Sequence, residues 1–234
     1  MKSLISSLLL VIAASTAMAA DSSYYSRAIF FDDFSSNSFG PRWGHYKSSS
    51  VVKDGVLVGI TAENSDHSAV DSIKFPGERD LEVTVKFRFV SDKAKSFNVW
   101  FDDYKYKGSH AGHICSVSVS PKTVIISDAK TGNFRNDLYE KQTAPGGLSA
   151  EDKAYIQTKR TQLPVTVSLK EWHGLMIHTR GDQAEVSIDG KVIGSFKSEG
   201  ITHDTKSLVS LTTNRIDVEY DDFGIKAGGD APKQ

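Results

Sequence analysis

The segment Leu81–Phe89 limits what this chain can fold into more than any other. Leu81, Val83, Val85, Phe87 and Phe89 alternate without a break with Glu82, Thr84, Lys86 and Arg88. Successive strand side chains point to opposite faces of a sheet, so one face of this segment is wholly apolar and the other polar. Such a strand needs an apolar layer beneath it and water above it, the condition met by an antiparallel sheet with one solvated face.

Other segments repeat the pattern in shorter form. Ala28–Phe34 reads as a first strand ending in carboxylates, and Gly40-Pro41-Arg42-Trp43 as a turn with an aromatic behind it. Asp54-Gly55, between Val51-Val52 and Val56–Gly59, supplies the positive φ that a tight hairpin requires, and Asp189-Gly190 repeats the signal before Val192–Phe196. Cys115–Ser120, Thr123–Ile126, Pro164–Leu169, Trp172–Arg180, Leu208–Thr212 and Arg215–Ile225 are further strand-like runs. Many short strands with hairpin turns predict an all-β jelly-roll β-sandwich. One interruption stands out. Ser149-Ala150-Glu151-Asp152 has the form of a capping box for a short helix ending near Lys159, so 137–163 is a short helical excursion from the sheets. An excursion of that length either carries function or is a plain surface loop.

The first 20 residues are expected not to belong to the fold. Lys2, the apolar run Leu4–Ala14 and Ala17-Met18-Ala19 have the layout of a cleaved signal peptide, implying a secreted or periplasmic protein. The run is shorter than the roughly 20 residues of a spanning helix and no second one follows, so no membrane insertion is expected. About 215 residues then remain, enough for one domain, placed at 21–227 with a frayed tail at 228–234. Cys115 is the only cysteine, so stability is expected from a packed core rather than a disulfide. A formal net charge of -1 gives no electrostatic reason to expect a nucleic acid partner.

The richest chemistry lies in Ser96–Ile114. Phe97, Val99 and Phe101 share one strand face, while Asn98, Trp100 and Asp102 share the other, with Tyr104 and Tyr106 on the same parity. Aromatic planes on a sheet face can stack on sugar rings while polar neighbours bond hydroxyls, which makes a carbohydrate or glycoside the expected partner. Lys86 and Arg88 are expected to face the same groove from a neighbouring strand. Ordinary half-buried sheet aromatics are the competing account. Beyond Gly108, His110 and His113 stand near this face, and imidazole titrates close enough to neutrality to act as a base. Alternatively, His113 opens the next strand on the parity of Cys115 and Val117 and hydrogen-bonds in the core. Zinc is a weaker use of the two histidines, since no third ligand lies at recognisable spacing. Asp33 and Asp222, at the first and last strands, could hold a structural calcium ion or be solvated strand ends. His173 and His178 read as structural, and Asp128, Lys130, Arg135 and Asp137 as charged residues flanking the excursion.

Read together, Asp32-Asp33-Phe34, Val52–Gly59, Leu81–Phe89, Glu171-Trp172-His173, Val186–Val192 and Asp221-Asp222-Phe223 resemble the 3-keto-disaccharide hydrolase domain, a concanavalin-A-like jelly roll of the family-16 glycosidase-like kind. The chain departs from that pattern at Ser96-Phe97-Asn98-Val99, where the family carries an Asn-Ser-Gly-Ile-like segment, and its Glu-x-Gln-x-x-Asp-like segment is not recognisable. The resemblance implies a substrate sugar oxidised at C3, whose ketone acidifies the C2 proton. A base takes that proton, and the glycosidic oxygen then leaves from C1. His113 or His110 would be the base and Asp102 its orienting partner or the acid. No Glu-x-Asp-x-x-Glu strand is present, so a retaining mechanism with carboxyls about 5 Å apart has no carrier. A non-catalytic glycan-binding module on the same face is the alternative.

Overall fold

The computed structural model describes residues 24–93, 95–214 and 218–229. The expected signal peptide, Arg215–Asp217 of the last expected strand and residues 230–234 of the tail lie outside them.

In chain order the strands are β1 (Arg27–Asp32), β2 (Trp43–Tyr46), β3 (Val51–Lys53), β4 (Val56–Gly59), β5 (Ala69–Glu78), β6 (Leu81–Phe89), β7 (Phe97–Asp102), β8 (His113–Val119) and β9 (Thr123–Asp128). Helices α1 (Asn136–Thr143) and α2 (Ala150–Thr158) follow. Then come β10 (Arg160–Pro164), β11 (His173–Arg180), β12 (Gln183–Ile188), β13 (Lys191–Lys197), β14 (Lys206–Thr213) and β15 (Val218–Ala227). They form two antiparallel sheets packed as a sandwich. One has the order β13-β12-β11-β6-β15-β4-β3 with β1 added against β15, and the other the order β10-β9-β8-β7-β14-β5-β2.

The alternation read from the sequence is what fills the space between the sheets. Leu81, Val83, Phe87 and Phe89 of β6 are fully buried, as are Phe97, Val99 and Phe101 of β7. Phe87 meets Phe97 with ring centroids 5.0 Å apart, and Phe97 meets Tyr220 edge-on at 5.3 Å. Both Asp-Gly turns form as expected. Asp54 and Gly55 sit at φ 54° and 77°, Asp189 and Gly190 at 52° and 75°, the left-handed pair that matches the twist of a two-residue hairpin. The capping box also forms, with Ser149 Oγ accepting from the Asp152 amide at 3.0 Å and Asp152 Oδ2 accepting from the Ser149 amide at 3.3 Å.

Several expectations are corrected. The excursion contains two helices, and the chain rejoins the sheet at Arg160 as an edge strand against β9. That strand ends at Pro164 rather than beginning there, although the Val165 and Val167 amides still donate to the Lys122 and Pro121 carbonyls beyond it. Lys86 and Arg88 do not share a face with Asn98 and Trp100. Their strand β6 pairs with β11 and β15, whereas β7 pairs with β8 and β14, so the link between β6 and β7 crosses from one sheet to the other. Lys86 instead pairs with Asp222 at 2.6 Å, and Arg88 Nε donates to Glu219 at 2.6 Å.

The first and last strands do pair, with Asp32 opposite Phe223. Asp33 and Asp222 nevertheless spend their oxygens locally. Asp33 Oδ1 accepts from the Ser35 hydroxyl at 2.7 Å, and Asp222 holds the Lys86 ammonium. Among the described residues no three His, Cys, Asp or Glu side chains converge to hold a metal ion, so neither the calcium nor the zinc idea gains a ligand set. No described helix is long and apolar enough to cross a membrane.

Candidate functional site

The outer face of the seven-stranded sheet has a low floor. Cross-strand registers bring Gly44, Ser72, Ser210, Trp100, Ser116 and Ser127 into one row across six strands. Side chains this small leave the indole of Trp100 as the one bulky group between Gly44 and Ser127, beyond which the row ends at Arg160 of β10. A second row sets Asn98 between Thr212 and Ser118. Trp100, Asn98 and Ser118 are half-buried, while their neighbours Ser210, Ser116 and Thr212 are buried between them.

His113 reaches this face through a β-bulge. Phe101 pairs with Cys115 and the next residue, Asp102, pairs with His113, so Ile114 is an extra residue with no partner in β7. Plain alternation from Cys115 and Val117 would turn His113 inward, and the bulge re-aims it outward. The entry to β8 enforces this. Gly112 lies at φ 74°, and a Cβ there would sit 2.2 Å from the Asp103 carbonyl oxygen, so only glycine fits. Ser109 Oγ donates to the His113 carbonyl at 2.7 Å.

The outcome is an oriented dyad. His113 Nδ1 lies 2.7 Å from Asp102 Oδ1, and the imidazole packs on Trp100 with centroids 4.4 Å apart. Asp102 is buried, and that burial pushes its carboxyl up from the ordinary range while the hydrogen bond from His113 works in the other direction. With Nδ1–H donated to Asp102, the lone pair sits on Nε2, which has no hydrogen-bond partner among the described residues. An imidazole held in this way can take a proton from a bound molecule.

The excursion builds one wall of the trough. Phe134 stands edge-on to Trp100 at 5.2 Å and to His113 at 4.7 Å. His110 lies flat on Tyr139 of α1 with centroids 3.7 Å apart, and its amide donates to the Phe134 carbonyl at 2.8 Å. Burial lowers the His110 pKa, and the neighbouring His113 and His67 lower it further. His67 in turn packs edge-on against the exposed Tyr46 of β2 at 5.3 Å. At the far end of the serine row, Ser127 and Arg160 open into a cleft of about 270 Å³ lined also by Lys153 and Gln157 of α2.

The structure therefore brings Asp102, His113, Trp100 and Asn98 together and puts His110 in the wall. Tyr104 lies just past the end of β7, with the Lys74 ammonium 3.8 Å above its ring. Tyr106 departs from the strand parity because the chain turns at Asp103, and it packs on His203 instead. Phe134 and Tyr139 were missed by sequence reasoning. Their only signal was the excursion itself, since nothing local to either residue marks contact with Trp100 and His110.

No protein-family model matches the sequence, and neither does any curated protein. Solved structures do match in shape. A sialidase superposes with a TM-score of 0.58 at 12% identity over 86% of this chain, which corresponds to 18% of the sialidase's length. A non-specific endo-β-1,3(4)-glucanase from family GH16 gives 0.57 at 10% identity, covering 87% of this chain and 91% of its own. The carbohydrate-binding module CBM66 from Bacillus subtilis gives 0.53 at 9% identity, covering 80% and 96%. At these identities the likeness establishes the fold, a concanavalin-A-like jelly roll, and the 3-keto-disaccharide hydrolase family itself finds no matching model.

Proposed function

We propose that this is an exported carbohydrate-active protein whose trough on the seven-stranded sheet binds a glycoside over Trp100, with the His113–Asp102 dyad as general base. One observation carries this reading: an imidazole fixed at 2.7 Å by a buried carboxylate presents an open Nε2 beside an indole. The half-buried indole offers a face on which a sugar ring could stack, and Asn98 adds an amide for its hydroxyls. Neighbours of the same fold include a glucanase, a transglycosylase and a carbohydrate-binding module, which supports a glycan as ligand.

The reaction that suits a single base is elimination from a 3-keto-glycoside. Nε2 takes the C2 proton, whose electron pair passes into an enolate conjugated with the C3 carbonyl. The C1–oxygen bond then breaks, the leaving oxygen recovers a proton, and water adds to the enone to complete a net hydrolysis. His113→Gln, assayed on 3-keto-glucosides and common glycosides, is expected to abolish turnover and to leave binding within about threefold. Unchanged turnover in that variant would overturn the catalytic part.

A specific observation favours a second reading, a glycan-binding module without turnover. Asp102 is already engaged by His113, and no other carboxylate stands in its row or in the two rows through Trp100 and Asn98. Under that reading wild-type protein binds glycans but turns over none of the panel.

A further inference from the structure

The opposite side of the molecule carries a second groove that the trough does not use. On the outer face of the eight-stranded sheet, a cavity of about 610 Å³ is lined by Phe31, Met176 and Val192, with Lys86, Asp222, His178 and Glu185 among its polar members. Its volume is that of a small-molecule site. Phe31 and Met176 are the exposed apolar walls, at 62% and 36% exposure.

The charges in this groove are paired with one exception. Lys86 holds Asp222 at 2.6 Å. One cross-strand row runs Glu185, His178, Glu82, Lys226. Within it His178 Nε2 bonds Glu82 Oε2 at 2.8 Å, and Lys226 Nζ reaches Glu82 Oε1 at 2.9 Å. His178 is further fixed by the ring of Tyr25, stacked on it at 4.5 Å. Glu185 is only 6% exposed and has no hydrogen bond or ion pair among the described residues. Its carboxylate opens into the cavity without a protein partner, which leaves it free to receive one from a ligand.

We propose that this groove is a binding site for a small organic cation, an ammonium group on an apolar body, with Glu185 receiving the ammonium and Phe31 and Met176 flanking the body. Glu185, the carboxylate of the lining without an ion-pair partner among the described residues, sets the sign of the ligand. The apolar walls set its shape, since a fully hydrated metal or anion would gain nothing from Phe31 and Met176. The proposal stands apart from the trough and would survive the loss of the glycoside reading.

The test uses the full chain and two ligands of one shape, 4-phenylbutylammonium and 4-phenylbutanol, titrated calorimetrically. The ammonium is expected to bind at least tenfold more tightly than the alcohol, and Glu185→Gln is expected to bring the two within about twofold. Methyl NMR should show the Met176 signal moving on titration. Equal affinity of both ligands in the wild type, no binding of either, or a shift confined to residues of the trough would each overturn the assignment, and the first two require no variant to fold. Sedimentation equilibrium distinguishes the remaining occupant: a dimer that Met176→Lys dissociates would mean that a second copy of the chain fills the groove, and would also overturn it.

Discussion

Asp102 and His113 face one another at 2.7 Å because β8 carries one residue more than β7 at that point, the buried Ile114. A single extra residue converts an inward histidine into one that looks onto a solvent-open face beside Trp100. The proposed activity depends on that insertion more than on any other local feature.

Replacing Asp102 with Asn keeps the shape but removes the negative charge and lets an amide N–H face His113 Nδ1, so the imidazole tautomer is no longer fixed. The expected result on a glycoside that the wild type turns over is a fall in kcat of about 10²- to 10⁴-fold with KM little changed. Steady-state kinetics on the folded variant checks it, and a loss confined to KM would assign Asp102 to binding instead.

Gly112→Ala tests the turn that delivers His113. A side chain there meets the Asp103 carbonyl at 2.2 Å at a left-handed φ of 74°, and a backbone atom cannot move aside as a flexible side chain would. The expected cost is at least about 2 kcal/mol in urea unfolding. A variant as stable as the wild type would show that the turn is not constrained as described.

Asp103 ties the end of β7 to β14 and predicts an acid dependence of stability. Burial alone would raise its carboxyl, but hydrogen bonds from Thr205, the Lys105 amide, His203 and Ser207 outweigh burial and hold it at about 2. Because the folded value lies below the unfolded one, its stabilisation is present above pH about 4 and is lost as pH falls towards 2. The loss should be about 2 kcal/mol. Unfolding measured across that range should show this component in the wild type and lack it in Asp103→Asn.

Cys115 is buried in the core, and burial pushes its thiol up to about 12. The native protein at pH 8 should therefore not react with a thiol reagent, and one equivalent should react once urea unfolds it. Labelling of the native state at the rate of an exposed thiol would contradict the packing between the sheets.

Much of this architecture was legible in the chain, for identifiable reasons. The period of two in Leu81–Phe89, the positive-φ dipeptides Asp54-Gly55 and Asp189-Gly190, and the Ser149–Asp152 box are local signals, and each produced the element it encodes. What failed was non-local. Counting parity back from Cys115 cannot detect a bulge, so the facing of His113 stayed open. Strands β6 and β7 are neighbours in sequence, which suggested a shared groove for Lys86 and Arg88, yet they lie in different sheets. Phe134 and Tyr139 reach Trp100 and His110 only through the path the chain takes from β9 into α1. Glu185 alternates with Ala184 and Val186 as any solvated strand residue would, and only the fold shows that it lines a cavity without a protein partner among the described residues.

The most direct measurement of the central claim is a calorimetric titration of wild type and Trp100→Ala with a panel of soluble oligosaccharides and 3-keto-glucosides. The trough reading predicts that at least one of them binds the wild type and that Trp100→Ala weakens it tenfold or more. Binding unchanged by the loss of the indole, or no binding across the panel, would contradict it.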